Sequence, residues 1–331
     1  MVDKKLRWGV ISTANIGRAA VLPALQHSRT GDLVAVASRD EEKARVFAAK
    51  HGISRADGSY EALLAAEDID AVYIPLPNSL HREWTIKAAE AGKHILCEKP
   101  LALSAAECDE MAAAAQQHDV VLMEAFMYRF HPQTEKVLGL LRSSAIGEPR
   151  LINATFTFRL SDPANIRLSA ELGGGSLMDV GCYCINITRT LAGEEPAEVQ
   201  AFAKWGETGV DEEMVGSLRF PNGLLAQFSC GLTLERREFY QVAGPDGHIE
   251  VQSAFLPGTS DTTIYEHHGR RETVAHAISG VDEYQLMVEH FADCVLDQKP
   301  VRYPPAEAAA NMRVIEALIR SARGNGRVES V

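Results

Sequence analysis

The chain has little of what would tie it to a membrane, a nucleic acid or an oxidising compartment. No apolar run approaches the roughly 20 residues that a membrane helix requires. The apolar stretch Trp8-Gly9-Val10-Ile11, after the basic segment Met1–Arg7, is too short for the core of a signal peptide and reads as a first strand. Positive charge is in the minority: 33 Lys and Arg against 45 Asp and Glu leave a formal net charge of −12. That balance argues against a protein that tracks phosphates with a basic face. Six cysteines lie scattered among apolar neighbours, and Cys182-x-Cys184 has no second pair with metal-ligand spacing. They are expected as reduced core thiols of a cytoplasmic protein. His267-His268 likewise has no further ligand at useful spacing, so no metal is expected. Internal repeats and low-complexity segments are absent.

What is present is an ordinary globular composition, 46% hydrophobic and 24% charged, in 331 residues. That length suits two domains. Over residues 1–124, short apolar strands alternate with amphipathic helices. Strands are expected at Leu6–Ile11, Leu33–Ala37, Ala71–Ile74, His94–Cys97 and Val120–Met123. Helices are expected at Ile16–His27 (bent or irregular at Pro23), Glu41–His51, His81–Ala91 and Ser104–His118. This alternation means βαβ units and a doubly wound parallel sheet, an α/β nucleotide-binding domain of the Rossmann type. Residues 125–331 differ. Longer alternating strands at Leu151–Arg159, Ala197–Lys204, Met214–Phe220, Leu224–Leu232 and Phe239–Val242 are punctuated by hairpin signals at Pro221-Asn222-Gly223 and Pro245-Asp246-Gly247. With helices at Pro132–Ser144, Leu177–Leu191, Glu283–Leu296 and Ala306–Arg323, this part reads as an α+β domain with an open-faced, largely antiparallel sheet. It would carry substrate and oligomer contacts, and its C-terminal helix is a candidate to return to the first domain.

Three segments carry chemistry. Glu98-Lys99-Pro100 follows the buried strand His94–Cys97, and strand C-termini are where doubly wound sheets place function. The first strand-to-helix turn, Ser12-Thr13-Ala14-Asn15-Ile16-Gly17, retains only the last glycine of the G-x-G-x-x-G fingerprint, with small residues at the other two places. A helix N-terminus there favours a pyrophosphate. The second strand ends in Ala37-Ser38-Arg39-Asp40, with Lys43 one turn on. Ser38, Arg39 and Lys43 offer donors and positive charge to a 2′-phosphate, so NADP is expected rather than NAD.

These segments resemble the glucose-fructose oxidoreductase / inositol dehydrogenase (Gfo/Idh/MocA) family over nearly the whole chain. The resemblance also rests on Pro75-Leu76-Pro77-Asn78-Ser79-Leu80-His81, Glu124–Pro132 and Gly173–Tyr183. It implies that Lys99 is catalytic, that Asn78 and His81 line the nicotinamide side with Leu76, Pro77 and Glu98 around the cofactor, and that the open sheets pair into a homodimer or larger assembly. Many members carry an aspartate and a histidine four residues apart where this chain has Asp179 and Tyr183. A tyrosine there is similar to the dihydrodiol and xylose dehydrogenase branch.

The chemistry also follows from the residues themselves. Residues 179 and 183 share one face of an α-helix. Oxidising an alcohol removes a hydride from carbon and a proton from oxygen. A tyrosine with a reference pKa near ~10 becomes a usable base beside a lysine ammonium. Lys99 and Tyr183 are therefore expected as a proton relay, either of them the immediate base. Asp179, with Arg167 from the preceding loop, would grip a neighbouring hydroxyl, and the resemblance implies that a sugar or vicinal diol carries it. The alternative is a non-catalytic dinucleotide-binding sensor or regulator.

Overall fold

A computed structural model describes residues 4–269 and 272–331. In chain order the first elements are β1 (Leu6–Ile11), α1 (Leu22–His27), β2 (Gly31–Ala37), α2 (Glu41–His51), β3 (Arg55–Asp57), α3 (Tyr60–Leu64), β4 (Ala71–Ile74), α4 (His81–Glu90), β5 (His94–Cys97), α5 (Ala105–Gln117) and β6 (Leu122–Glu124). The second set is α6 (Pro132–Arg142), β7 (Leu151–Arg159), α7 (Cys182–Ala192), β8 (Glu198–Trp205), β9 (Asp211–Arg219), β10 (Leu225–Gly231), β11 (Thr233–Ala243), β12 (His248–Gln252), β13 (Thr262–His268) and β14 (Glu272–Ile278). It closes with α8 (Glu283–Leu296), α9 (Pro305–Arg323) and β15 (Glu329–Ser330).

Two compact units result. One takes the chain to Met127 together with Tyr284–Ala309; the other takes Tyr128–Glu283 and Ala310–Val331. The expected division at residue 124 leaves α8 with the second part, whereas α8 belongs to the first unit. The reason is local: the Phe291 ring sits 5.0 Å from the ring of Trp8, and Glu289 takes the Arg29 guanidinium at 2.8 Å.

The first unit is built on six parallel strands in the order β3-β2-β1-β4-β5-β6. Strand order reverses between β1 and β4, so the loops after β1, β4 and β5 emerge at the switch point where such sheets bind ligands. β4 is buried at every residue, as a strand covered on both faces must be.

The second unit carries nine strands in the order β14-β13-β12-β11-β7-β10-β9-β8-β15. Neighbours run antiparallel except β7 and β10. Along β10 the pleat turns Ala226, Phe228 and Cys230 inward and leaves Leu225 and Gln227 exposed. One face of this sheet is covered by the turn and helix that end in α7; on the other, Phe202, Val215 and Leu225 are exposed among the described residues.

The expected helix over 16–27 is broken by a π-helical turn at Gly17–Val21, immediately before Pro23 in the first turn of α1. Proline lacks an N–H, and the wider turn ahead of it absorbs the mismatch. The expected helix over 177–191 opens the same way, with a π turn at Leu177–Gly181 before α7.

Candidate active site

The segment bearing Lys99 is anchored on both sides within the first unit. The Tyr73 hydroxyl donates to Glu98 Oε1 at 2.5 Å, and the Lys99 N–H approaches Glu98 Oε2 at 3.3 Å. One residue past Pro100, the Leu101 N–H donates to Glu124 Oε1 at 2.8 Å. Tyr73 is fully buried, and burial with the nearby Glu98 charge pushes its hydroxyl well above the usual range, so it stays a donor. The peptide bond between Lys99 and Pro100 is cis. Lys99 itself is half-buried.

His81 joins this loop to the one after β4. Its ring is fully buried, with Nε2 2.8 Å from the Leu76 carbonyl and Nδ1 3.0 Å from the Pro100 carbonyl. Burial, and secondarily the Lys99 charge, hold its pKa below the ordinary histidine value. The structure therefore gives His81 a positioning part, bolting together the loops that carry Asn78 and Lys99. Asn78 is half-buried and Pro77 lies next to it, while Leu76 is buried.

The turn after β1 shows why its degenerate sequence works. Ser12 occupies the first glycine place with a φ of 114°, a region that favours glycine. It is held there by its N–H on the Ala37 carbonyl at 3.0 Å, while its hydroxyl accepts the Ala14 N–H at 3.1 Å. Gly17 is buried, and a Cβ there would meet Leu22 and Tyr73. Thr13, Ala14 and Ile16 are half-buried and Asn15 exposed, lining the turn outward.

At the end of β2 the acid is already engaged. Asp40 Oδ1 accepts the Lys43 N–H at 3.0 Å and caps α2, and its other oxygen lies 3.7 Å from Lys43 Nζ. Ser38 is buried and Arg39 is exposed. The Lys43 charge is thus shared with Asp40, and Arg39 is the clearer cationic group at this strand end.

In the second unit, Arg167 and Asp179 come together, with Nε donating to Oδ2 at 2.6 Å. Glycines make this approach possible: a Cβ on Gly174 would run into the Arg167 carbonyl, and one on Gly175 into Asp211 Oδ1. Tyr183 is 5% exposed and sits in an aromatic cluster, its ring 5.4 Å from Phe156, 5.5 Å from Phe255 and 5.8 Å from Tyr128. Asp179 belongs to the π turn and Tyr183 to α7, so the single-turn spacing expected of an α-helix is stretched between them.

Two contributors escaped the sequence reading. Asp211, buried on β9, accepts the Ser176 hydroxyl and the Leu177 N–H, each at 2.7 Å, and so pins the start of the π turn. Nothing in the acidic run Asp211-Glu212-Glu213 singles it out. Tyr73 was legible in principle, because a tyrosine within a wholly apolar strand needs a partner for its hydroxyl.

Comparisons with known proteins show the family. The profile described as "Oxidoreductase family, NAD-binding Rossmann fold" matches residues 6–126, and the GFO/IDH/MocA C-terminal domain matches residues 134–250. The chain is 39% identical to a D-xylose 1-dehydrogenase (NADP(+)) of Haloferax volcanii, covering 98% of this chain and 99% of that one. It is 34% identical to a trans-1,2-dihydrobenzene-1,2-diol dehydrogenase of Xenopus tropicalis, covering 96% of each. Among solved structures, a 3-ketoreductase from Actinomadura kijaniata in complex with NADP and TDP-benzene superposes with a TM-score of 0.92 at 30% identity. That match covers 96% of this chain and 98% of the other.

Proposed function

The chain belongs to the Gfo/Idh/MocA oxidoreductase family, and on that premise we propose that it is an NADP-dependent enzyme interconverting a sugar or vicinal diol and its carbonyl partner. The residues fit the cofactor. Asp40 is spent on capping α2, so no carboxylate is offered to a ribose 2′-hydroxyl, whereas Ser38 and Arg39 suit a 2′-phosphate. The turn Ser12–Gly17 would take the pyrophosphate, and Leu76, Pro77, Asn78 and the Glu98-Lys99 segment would border the nicotinamide. When bound, the nicotinamide supplies the hydride acceptor or donor.

The chain's own part is to hold the substrate and move its proton. Asp179, held by the Arg167 guanidinium at 2.6 Å, accepts a hydrogen bond from a substrate hydroxyl. Lys99 and Tyr183 take the proton as the C–H bond is lost, or return it in reduction, and the lysine charge favours the phenolate. The observation that carries this reading is the double anchoring of the Lys99 segment, through Glu98 to Tyr73 and through Leu101 to Glu124. A preorganised lysine needs such a frame.

The open sheet face supports a homodimer. Phe202 and Val215 lie opposite one another and are each 53% exposed, and Leu225 is 50% exposed, beside the small polar Ser217 and Gln227. A face of that composition is suited to burial against a second copy. The test of the whole reading is NADPH binding followed by fluorescence, then a turnover screen of aldoses and cyclic diols. Tight NADPH binding with no turnover across that panel would leave a sensor, and absent binding would sink the reading. Light scattering decides the assembly, since a single species near 36.1 kDa rules out the dimer.

A further inference from the structure

The hairpin signal Pro245-Asp246-Gly247 starts β12 at His248, and the antiparallel register sets His248 directly across from His267 on β13. Glu250 is two residues along β12 and so shares the face of His248. Three side chains that are far apart in sequence therefore converge. Their ligand atoms all lie within 4.8 Å of one another: His248 Nε2 is 3.8 Å from Glu250 Oε1, and His267 Nε2 is 3.9 Å from Glu250 Oε2. The two imidazoles stack with centroids 4.5 Å apart.

These separations are too long for hydrogen bonds. His267 Nε2 is buried and has no hydrogen-bond partner among the described residues. Its other nitrogen, Nδ1, lies 2.9 Å from Thr273 Oγ1. A proton on Nδ1, donated to that hydroxyl, leaves the Nε2 lone pair facing Glu250. Glu250 Oε1 is in turn oriented by Gln241 Nε2 at 2.8 Å. Outer hydrogen bonds of this kind fix the tautomer and aim of metal ligands.

We propose that His248, Glu250 and His267 bind one divalent transition-metal ion, zinc being the reference case, and that the ion clips β12 to β13. Two imidazoles and one carboxylate suit zinc, nickel or copper and not magnesium or calcium. Ligand bonds of about 2.0–2.2 Å in a tetrahedral site place donors roughly 3.4 Å apart. Closing the two histidine–glutamate gaps to that spacing takes shifts of about half an ångström, and bringing in the farthest pair of donors, within 4.8 Å of one another, takes at most about 1.4 Å shared between two side chains. The three residues are half-buried, which leaves a fourth position to water. The other histidines of this region are otherwise engaged: His268 and His276 each place Nε2 2.7 Å from a different oxygen of Glu266, and His268 Nδ1 lies 2.9 Å from the Asp246 carbonyl.

The test is Zn²⁺ titration of the chelator-stripped full chain against a competing fluorescent chelator, with a thermal melt in parallel. The expected result is one equivalent bound per chain and a Tm raised by Zn²⁺. His267→Ala and His248→Asn should each weaken binding at least about tenfold, the lower range for losing a metal-site group, and abolish the Tm shift. Glu250→Gln, which keeps the side chain's shape, serves as the third variant if a histidine change impairs folding. His268→Ala should leave affinity unchanged. The proposal is overturned if the wild-type chain takes up no stoichiometric Zn²⁺, or if binding survives in the His248, Glu250 and His267 variants, or if it is lost in His268→Ala.

Discussion

The Tyr73 hydroxyl, in the middle of a fully buried strand, donates to Glu98 Oε1 at 2.5 Å across 25 residues of sequence. Replacing Tyr73 by Phe keeps the ring and removes the donor. Glu98 then loses the Tyr73 donor, and a hydrogen bond to a charged group contributes about 1.5–3 kcal/mol. Because Glu98 also holds the Lys99 N–H, turnover should fall together with stability. Denaturant unfolding and kcat on the same variant check this, and a stability loss with unchanged kcat would separate the clasp from the chemistry.

Lys99→Ala should lose on the order of 10² to 10⁴ in rate, the usual contribution of a positioned proton-transfer group. NADPH affinity should stay within a few-fold, since the pyrophosphate turn is elsewhere. Single-turnover rates beside fluorescence titration report both quantities.

Tyr183→Phe should lower kcat far more than it raises KM, because the phenol oxygen exchanges its proton only as hydride moves. The ring contacts with Phe156, Phe255 and Tyr128 survive the change, so the melting temperature should hardly move. A lowered melting temperature with intact kcat would return Tyr183 to the core and leave Lys99 as the remaining relay.

Arg39→Ala should weaken NADPH about ten- to a hundredfold, the equivalent of one lost charged hydrogen bond, while leaving NADH nearly unaffected. Paired affinities for the two cofactors decide it. Equal losses for both would place Arg39 away from the 2′-phosphate.

Stability should decline in mild acid. His94 Nδ1 accepts the Val121 N–H at 3.0 Å, and His131 Nδ1 accepts the Gln133 N–H at 3.2 Å as the cap of α6. Burial is the main cause holding both pKa values below the ordinary histidine value. A histidine depressed in the folded state leaves the unfolded chain binding more protons. This part of the stability is therefore complete above the usual value near ~6.5 and is lost as pH falls below it. Melting curves between neutral pH and mildly acidic pH should show the decline. His131→Asn, which keeps a capping acceptor without a titrating ring, should flatten it.

The sequence was most legible where burial is one-sided or complete. β1, β4 and β5 are short apolar runs between turn signals, and their bounds were readable directly. β3, with the polar sequence Arg55-Ala56-Asp57, carries no hydrophobic pattern and is a strand because β2 pairs with it. β14 was equally opaque, since most of its residues face solvent at a sheet edge. In the site, residue types at strand ends pointed to Lys99 and to Ser38-Arg39. The clasp from Tyr73 and the pin from Asp211 depend on distances that only the folded chain creates. The histidine pair at 267 and 268 carried no ligand spacing along the chain, because its partners His248 and Glu250 come from the neighbouring strand.

The π turn at Leu177–Gly181 makes the placement of Asp179 a matter of counting as well as of chemistry. Such a turn holds one residue more than the regular helix it interrupts and takes it up locally, so α7 beyond it keeps its phase. Deleting a single residue there would let the segment close to an ordinary α-helix with Tyr183 still among its aromatic neighbours. What the deletion removes is the wide turn in which Asp179 stands beside Arg167. Length at this point therefore bears on the acid and spares the phenol. A one-residue deletion within 177–181 should weaken substrate affinity more than it lowers the melting temperature, and an insertion at the exposed turn Pro221–Gly223 should leave both nearly unchanged.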